Sequence, residues 1–118
     1  MEVYKAGDRD NTGLQYTCFR IPALVTTSSG RLYAFAEGRR TAGCNDHGDV
    51  RIVVRTSDDG GATWGPIGQV VAEAGHTIGN PAPVVDSVST PGNDVIHLLY
   101  SRDNHQVGCG CGCGCVGG

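Results

Sequence analysis

Ser57-Asp58-Asp59-Gly60-Gly61-Ala62-Thr63-Trp64 is a hairpin turn that carries its own reinforcement. Ser57 and Asp59 have short side-chain acceptors able to bond backbone N–H groups within the turn. Gly61 supplies a position that tolerates positive φ, and Trp64 offers a broad plate to pack beneath the loop. A β-branched run, 50–55, precedes the turn, and a second strand is expected to begin near Trp64. Working outward, apolar residues come in bursts at 19–25, 32–36, 50–54, 67–71, 82–85 and 95–100. Each burst has strand length, and the gaps hold turn residues, as in Ser28-Ser29-Gly30 and Thr90-Pro91-Gly92-Asn93-Asp94. No stretch combines helix caps with an apolar stripe of helical period. The prediction is an all-β chain of antiparallel hairpins, with 41–48 as a polar loop of irregular composition.

The chain has 118 residues, 39% hydrophobic and 18% charged, which fits one small soluble domain or part of a larger one. Its 9 basic and 12 acidic residues give a net charge of -3 with neither sign in a block, so no nucleic-acid partner is expected. No apolar run approaches the roughly 18 residues of a transmembrane segment. The opening MEVYKAGDRDNTG lacks the apolar core of a signal peptide, and the compartment is left open.

Cys18 and Cys44 lie in ordinary sequence, whereas Cys109, Cys111, Cys113 and Cys115 alternate with glycine. Residues 108–118 are therefore set apart as a Gly/Cys low-complexity tail, leaving 1–107 as the expected folded unit. Four thiols at C-x-C spacing can bind soft metals; the abrupt change of composition reads instead as a truncated or misread gene product. Six strands around one core leave edges and a face uncovered. Four-stranded propeller blades of roughly 40 to 45 residues share that need, and the strand count equals one blade plus the opening hairpin of the next.

Three further stretches carry candidate chemistry. In Tyr16-Thr17-Cys18-Phe19-Arg20-Ile21-Pro22-Ala23-Leu24-Val25 a guanidinium stands among apolar strand residues, so it is paired, functional or turned outward. The second is Glu37-Gly38-Arg39-Arg40-Thr41-Ala42-Gly43-Cys44-Asn45-Asp46-His47-Gly48-Asp49. Its Cys44, His47 and Asp49 lack the paired spacing of metal ligands, and neither a metal site nor a cofactor is predicted. The third is Ile78-Gly79-Asn80-Pro81-Ala82-Pro83, where an Asn-Pro turn is the ordinary reading. His97 alternates with apolar neighbours and reads as a strand-face histidine.

These stretches together resemble the sialidase (neuraminidase) family over roughly residues 3–107. The turn at 57–64 matches S-x-D-x-G-x-T-W and looks like the Asp-box, or BNR repeat, in which Ser57, Asp59, Gly61, Thr63 and Trp64 are structural. Phe19-Arg20-Ile21-Pro22 resembles the family's F/Y-R-I-P motif. The resemblance implies the first blade and the start of the second of a six-bladed β-propeller, here an N-terminal fragment.

It also implies an exo-α-sialidase, a retaining glycoside hydrolase that releases terminal sialic acid from glycoproteins, oligosaccharides or gangliosides. By resemblance, Arg20 is one of three arginines that clamp the sugar carboxylate, a task suited to planar bidentate pairing. Arg39, 19 residues later, contacts a ring hydroxyl, and Asp46, seven further on, is the general acid and base. Asp49 is its rival, and Arg40 an exposed neighbour. Asn80 is a weaker substrate contact. The family's nucleophile is a tyrosine activated by a glutamate, from later blades; none of Tyr4, Tyr16, Tyr33 or Tyr100 can be assigned that role. The segment alone is expected to be inactive, its partner a sialylated glycoconjugate, its oligomeric state open. The competing interpretation is a non-catalytic Asp-box propeller piece that binds carbohydrate or protein, and an unrelated β-sandwich with a chance turn is a third. The constellation of Arg20, Arg39 and Asp46 separates the first from the others.

Overall fold

The computed structural model describes residues 2–103; the Gly/Cys tail at 108–118 lies outside the described residues. The described part contains six strands in two antiparallel sheets. β1 (Cys18–Thr26), β2 (Leu32–Arg39), β3 (Val50–Ser57) and β4 (Gly68–Val71) form one sheet in chain order, and β5 (Ile78–Asp86) pairs with β6 (Val95–Arg102) in the second. The fold is all-β and open, one four-stranded blade followed by the hairpin that begins the next, as in part of a β-propeller.

Five strands fall on the predicted bursts with small extensions. The fourth does not begin near Trp64 but at Gly68. The intervening residues are used to come back from the turn: Gly65 N–H donates to Thr56 O at 2.9 Å, and Ile67 forms a parallel bridge with Asp10 instead of pairing with β3. The loop at 41–48 contains one short 3-10 turn, Ala42–Cys44.

Alternation along β2 separates two cores. Ala36 joins the buried cluster of Tyr16, Val53 and Ile67 on one face, beneath the N-terminal segment. Phe35 joins Ile52 and Ile78 on the other, beneath the second sheet, with Ile96 and Leu98 packed against them. Each buried aliphatic or aromatic side chain of this kind contributes about 1.5–3 kcal/mol relative to exposure. The N-terminal segment is fastened by Asp10, buried at 6% exposure. Its carboxylate accepts from Thr12, Leu14, Gln69 and the Tyr16 hydroxyl. Burial pushes the Asp10 carboxyl up, but these donors outweigh it and hold it well below the usual carboxylate range.

The face that meets the second sheet carries Phe35, then Glu37 and Arg39, so the same alternation that builds the core delivers two charged groups at the end of β2. Across from them, β1 changes phase. Arg20 pairs with Glu37 and Ala23 with Phe35, three steps on β1 against two on β2. This one-residue bulge at Ile21-Pro22 keeps Arg20 and Ala23 on one face despite their odd spacing. β5 repeats the device at Asn80-Pro81, where Gly79 pairs with Ser101 and Ala82 with Leu99. Both residues before proline have positive φ, 52° at Ile21 and 55° at Asn80.

Candidate active site

The start of β1, the end of β2, the loop that follows it and the start of β5 enclose a hollow of about 390 Å³, lined among others by Arg20, Arg39, Asp46 and Asn80. All four residues singled out for substrate or proton chemistry therefore meet in one place. Glu37, Thr77 and Gly79 complete much of its wall.

Arg39 is the buried anchor, at 2% exposure. Its Nε and Nη2 donate to Glu37 Oε2 at 3.0 and 2.7 Å, and its Nη1 donates to Cys44 O at 3.0 Å and Asp46 Oδ1 at 2.5 Å. Burial works against the cation, but bonds to Glu37 and Asp46 outweigh it and its pKa lies above the ordinary arginine value. With most of its five N–H groups engaged, Arg39 holds Glu37, the Cys44 carbonyl and Asp46 around one guanidinium.

Asp46 is the exposed end of this chain of bonds, with 79% of its side chain open to solvent. The hydrogen bond from Arg39 and the charge behind it hold the Asp46 carboxyl below its usual range, with a smaller contribution from Arg20. Arg20, 56% exposed, approaches the same oxygen only at 3.9 Å. Arg20 stands just before the bulge of β1 and lines the hollow while its side chain stays more than half exposed.

The loop that carries Asp46 is held at both ends. A disulfide joins Cys44 to Cys18 at the start of β1, with 5.8 Å between their Cα atoms, so the Cys44 sulfur is not a metal ligand. Among the described residues no group of three His, Cys, Asp or Glu side chains gathers as a metal site. At the far end, Asp49 accepts from Arg40 at 2.8 Å and from Arg51 at 2.9 and 3.2 Å. Burial raises the Asp49 carboxyl and the two arginines more than offset it, leaving it low. Asp49 is thus a clasp between the loop and β3, outside the hollow, and Arg40 is its partner.

The second sheet supplies the opposite wall. Asn80 N–H donates to Glu37 Oε1 at 2.9 Å, and its side-chain amide donates to Ser101 Oγ at 2.8 Å. Thr77 Oγ1 donates to Gly48 O at 2.9 Å, tying the loop that carries Asp46 to the residue just before β5. Glu37 was not singled out from the sequence. An acidic residue two positions before Arg39 in an otherwise apolar strand was the available signal, since such residues share a face.

The turn at 57–64 stands elsewhere. β3 runs from Val50, opposite Arg39, to Ser57, opposite Leu32, which puts the turn at the other end of the sheet, roughly 24 Å of strand away. There Ser57 Oγ accepts from Gly61 N–H at 2.9 Å, Asp59 Oδ1 accepts from Thr63 N–H at 2.8 Å, and Trp64 Nε1 donates to Gly61 O at 3.2 Å. Gly61 has φ 92°. The tyrosines are also placed away from the hollow. Tyr16 is fully buried against Asp10, and Tyr4 donates to Ala34 O at 2.6 Å. Among the described residues no helix is long and apolar enough to cross a membrane.

No family model matches the chain. Curated proteins do. The chain is 44% identical over 89 residues to an exo-alpha-sialidase of Aspergillus fumigatus, covering 70% of this chain and 22% of that protein. It is 37% identical over 102 residues to an exo-alpha-sialidase of Arthroderma benhamiae, covering 81% and 24%. A sialidase of Micromonospora viridifaciens is 48% identical over 59 residues, half of this chain and 9% of the relative. The chain thus spans about a quarter or less of the length of the curated relatives it matches. With an all-β sheet of blade form, and with both arginines and the aspartate gathered at one hollow, these alignments show that the chain belongs to the sialidase family.

Proposed function

We propose that this segment provides the proton-donor side and the first anion-binding arginine of an exo-α-sialidase that releases terminal sialic acid, with retention, from glycoproteins, oligosaccharides or gangliosides. One observation carries the proposal: an exposed guanidinium, Arg20, and an exposed carboxylate, Asp46, face the same hollow, with a buried guanidinium, Arg39, behind the carboxylate. A scaffold has no need of that arrangement.

Arg20 receives the carboxylate of the sugar, since its fork matches two oxygens and its ion pair with Asp46 is a loose one at 3.9 Å. The arriving anion offsets the positive charge beside Asp46, which lifts a carboxyl otherwise held ionised and lets it carry a proton to the glycosidic oxygen. Asp46 then takes a proton from the water that resolves the intermediate. Asn80 presents its side-chain amide at the rim, beside the ring. The nucleophilic tyrosine and its glutamate, with further arginines, belong to other blades of the parent protein, because no described tyrosine lines the hollow.

The test uses a fluorogenic sialoside. The 118-residue chain is expected to show no turnover. A longer product containing it should be active and should lose roughly 100-fold or more in rate on Asp46→Asn. Full activity of that variant, or robust turnover by the chain alone, sinks the assignment.

A further inference from the structure

We infer that Glu37 is a positioning residue, one carboxylate shared between the Arg39 guanidinium and the Asn80 backbone N–H, which locks the two walls of the hollow at a fixed separation. This rests on the site proposed above and names the device that holds its halves together.

Glu37 is 5% exposed, and a carboxylate at that depth has to be paired. Its two oxygens divide the work between the sheets. Oε2 takes both Arg39 donors from its own strand, at 3.0 and 2.7 Å, and Oε1 takes Asn80 N–H from β5, at 2.9 Å. Three features of β5 are fitted to that second bond. The bulge interrupts pairing with β6 at this point, which frees an amide to face the first sheet. The left-handed φ of 55° at Asn80 accompanies that turn of the backbone. At Gly79 a Cβ would overlap Glu37 Oε1, although the φ of Gly79 is not in the left-handed region. Gly79 is therefore needed for room rather than for backbone freedom, and the room is filled by this carboxylate. An ion pair serving only the core of the first sheet would require neither the glycine nor the bulge.

The experiment uses the 15N-labelled chain with Glu37→Gln, Gly79→Ala, Glu37→Ala and the double variant Glu37→Ala/Gly79→Ala. Glutamine keeps the shape of glutamate, but one of its ends is a donor, so either Arg39 or Asn80 loses its acceptor. Hydrogen exchange at Asn80 N–H and Arg39 Nε–H is read without ligand, and N-acetylneuraminic acid is then titrated into the longer active product carrying the same substitutions. Glu37→Gln is expected to speed exchange at one or both groups roughly tenfold and to weaken the sugar by a similar factor. Amides of the 57–63 turn, which report whether the sheet is folded, should be unchanged. Gly79→Ala should do the same in the wild-type background and add nothing once Glu37 is alanine.

Unchanged exchange at both groups in Glu37→Gln, or an equal cost of Gly79→Ala in both backgrounds, overturns the inference. If the longer product binds the sugar equally well with and without Glu37→Gln while the exchange and cycle results appear as expected, the site assignment is what falls and the lock stands.

Discussion

β1 and β5 open their sheets in the same way and end up with different tasks. Each places a residue of positive φ before a proline, inserts one extra residue against its partner, and resumes with alanine: Arg20-Ile21-Pro22-Ala23 in one, Gly79-Asn80-Pro81-Ala82 in the other. The bulge re-aims the backbone at the end of the sheet where the hollow lies, a placement frequent beside active sites. What differs is the side chain just before the bulge. In β1 it is a guanidinium that reaches over the hollow. In β5 the matching position has no side chain at all, because the carboxylate of Glu37 stands there. One backbone device thus supplies a charged arm in the first sheet and a vacated seat in the second, and the contrast lies in the residues, not in the strand geometry.

The largest effect is expected from the covalent asymmetry between the two. β1 is tied through Cys18 to the loop that carries Asp46, whereas the entry to β5 meets that loop through a hydrogen bond from Thr77. Replacing both cysteines, Cys18→Ser/Cys44→Ser, removes a link across 26 residues and should cost about 3 kcal/mol in urea unfolding. An unchanged midpoint would show that the loop is held without the covalent link, by Arg39, Asp49 and Thr77.

Next comes the arm itself. Arg20→Ala should weaken N-acetylneuraminic acid by roughly 10- to 100-fold, the range of a lost hydrogen bond to a charged group, with little change in stability. Arg20→Lys should recover only part of that loss, since the fork is gone. Equal binding by wild type and Arg20→Ala would leave β1 with no functional advantage over β5.

A smaller effect should follow from exchanging the left-handed residues. Ile21 is β-branched and ill suited to positive φ, whereas asparagine tolerates it. Ile21→Asn is expected to stabilise the chain by about 1 kcal/mol and Asn80→Ile to destabilise it by a similar amount. Shifts of the same sign in both variants would mean that the two bulges are not equivalent.

The smallest belongs to the remote turn, a control for everything at the hollow. Hydrogen bonds from the Thr63 hydroxyl first, then from its backbone N–H and from Ser57, hold the Asp59 carboxyl down at about 2. Its folded value lies below its ordinary one, so its contribution is whole above about pH 4 and fades as pH falls toward 2. Asp59→Asn should flatten the acid limb of the stability profile without moving sugar affinity. A change in affinity would join the turn to the site.

The strands were legible because short apolar bursts and turn residues alternate along the chain, and the turn at 57–64 was legible down to its side-chain acceptors, Ser57 and Asp59. The gathering of Arg20, Arg39, Asp46 and Asn80 was legible only through resemblance. Spacing places residues along strands but does not say which strand ends meet. The bulges escaped notice because a bulge is a property of pairing, although two prolines near strand starts, Pro22 and Pro81, hinted at them. The start of β4 was misplaced because Trp64 belongs to the turn and Ile67 pairs with the N-terminal segment, a long-range contact. The Cys18–Cys44 link was equally hidden, since two cysteines 26 residues apart carry no signature of their own.

On the outer face of β2, the ring of Tyr16 lies against Gly38, where a Cβ would come within 2.6 Å of Cδ1 and Cε1. Gly38 sits between Glu37 and Arg39, so the strand that bears both charges is backed by a flat aromatic plate instead of by yielding aliphatic chains. The floor of the hollow is accordingly stiff from behind, and any change of its shape has to come from its walls.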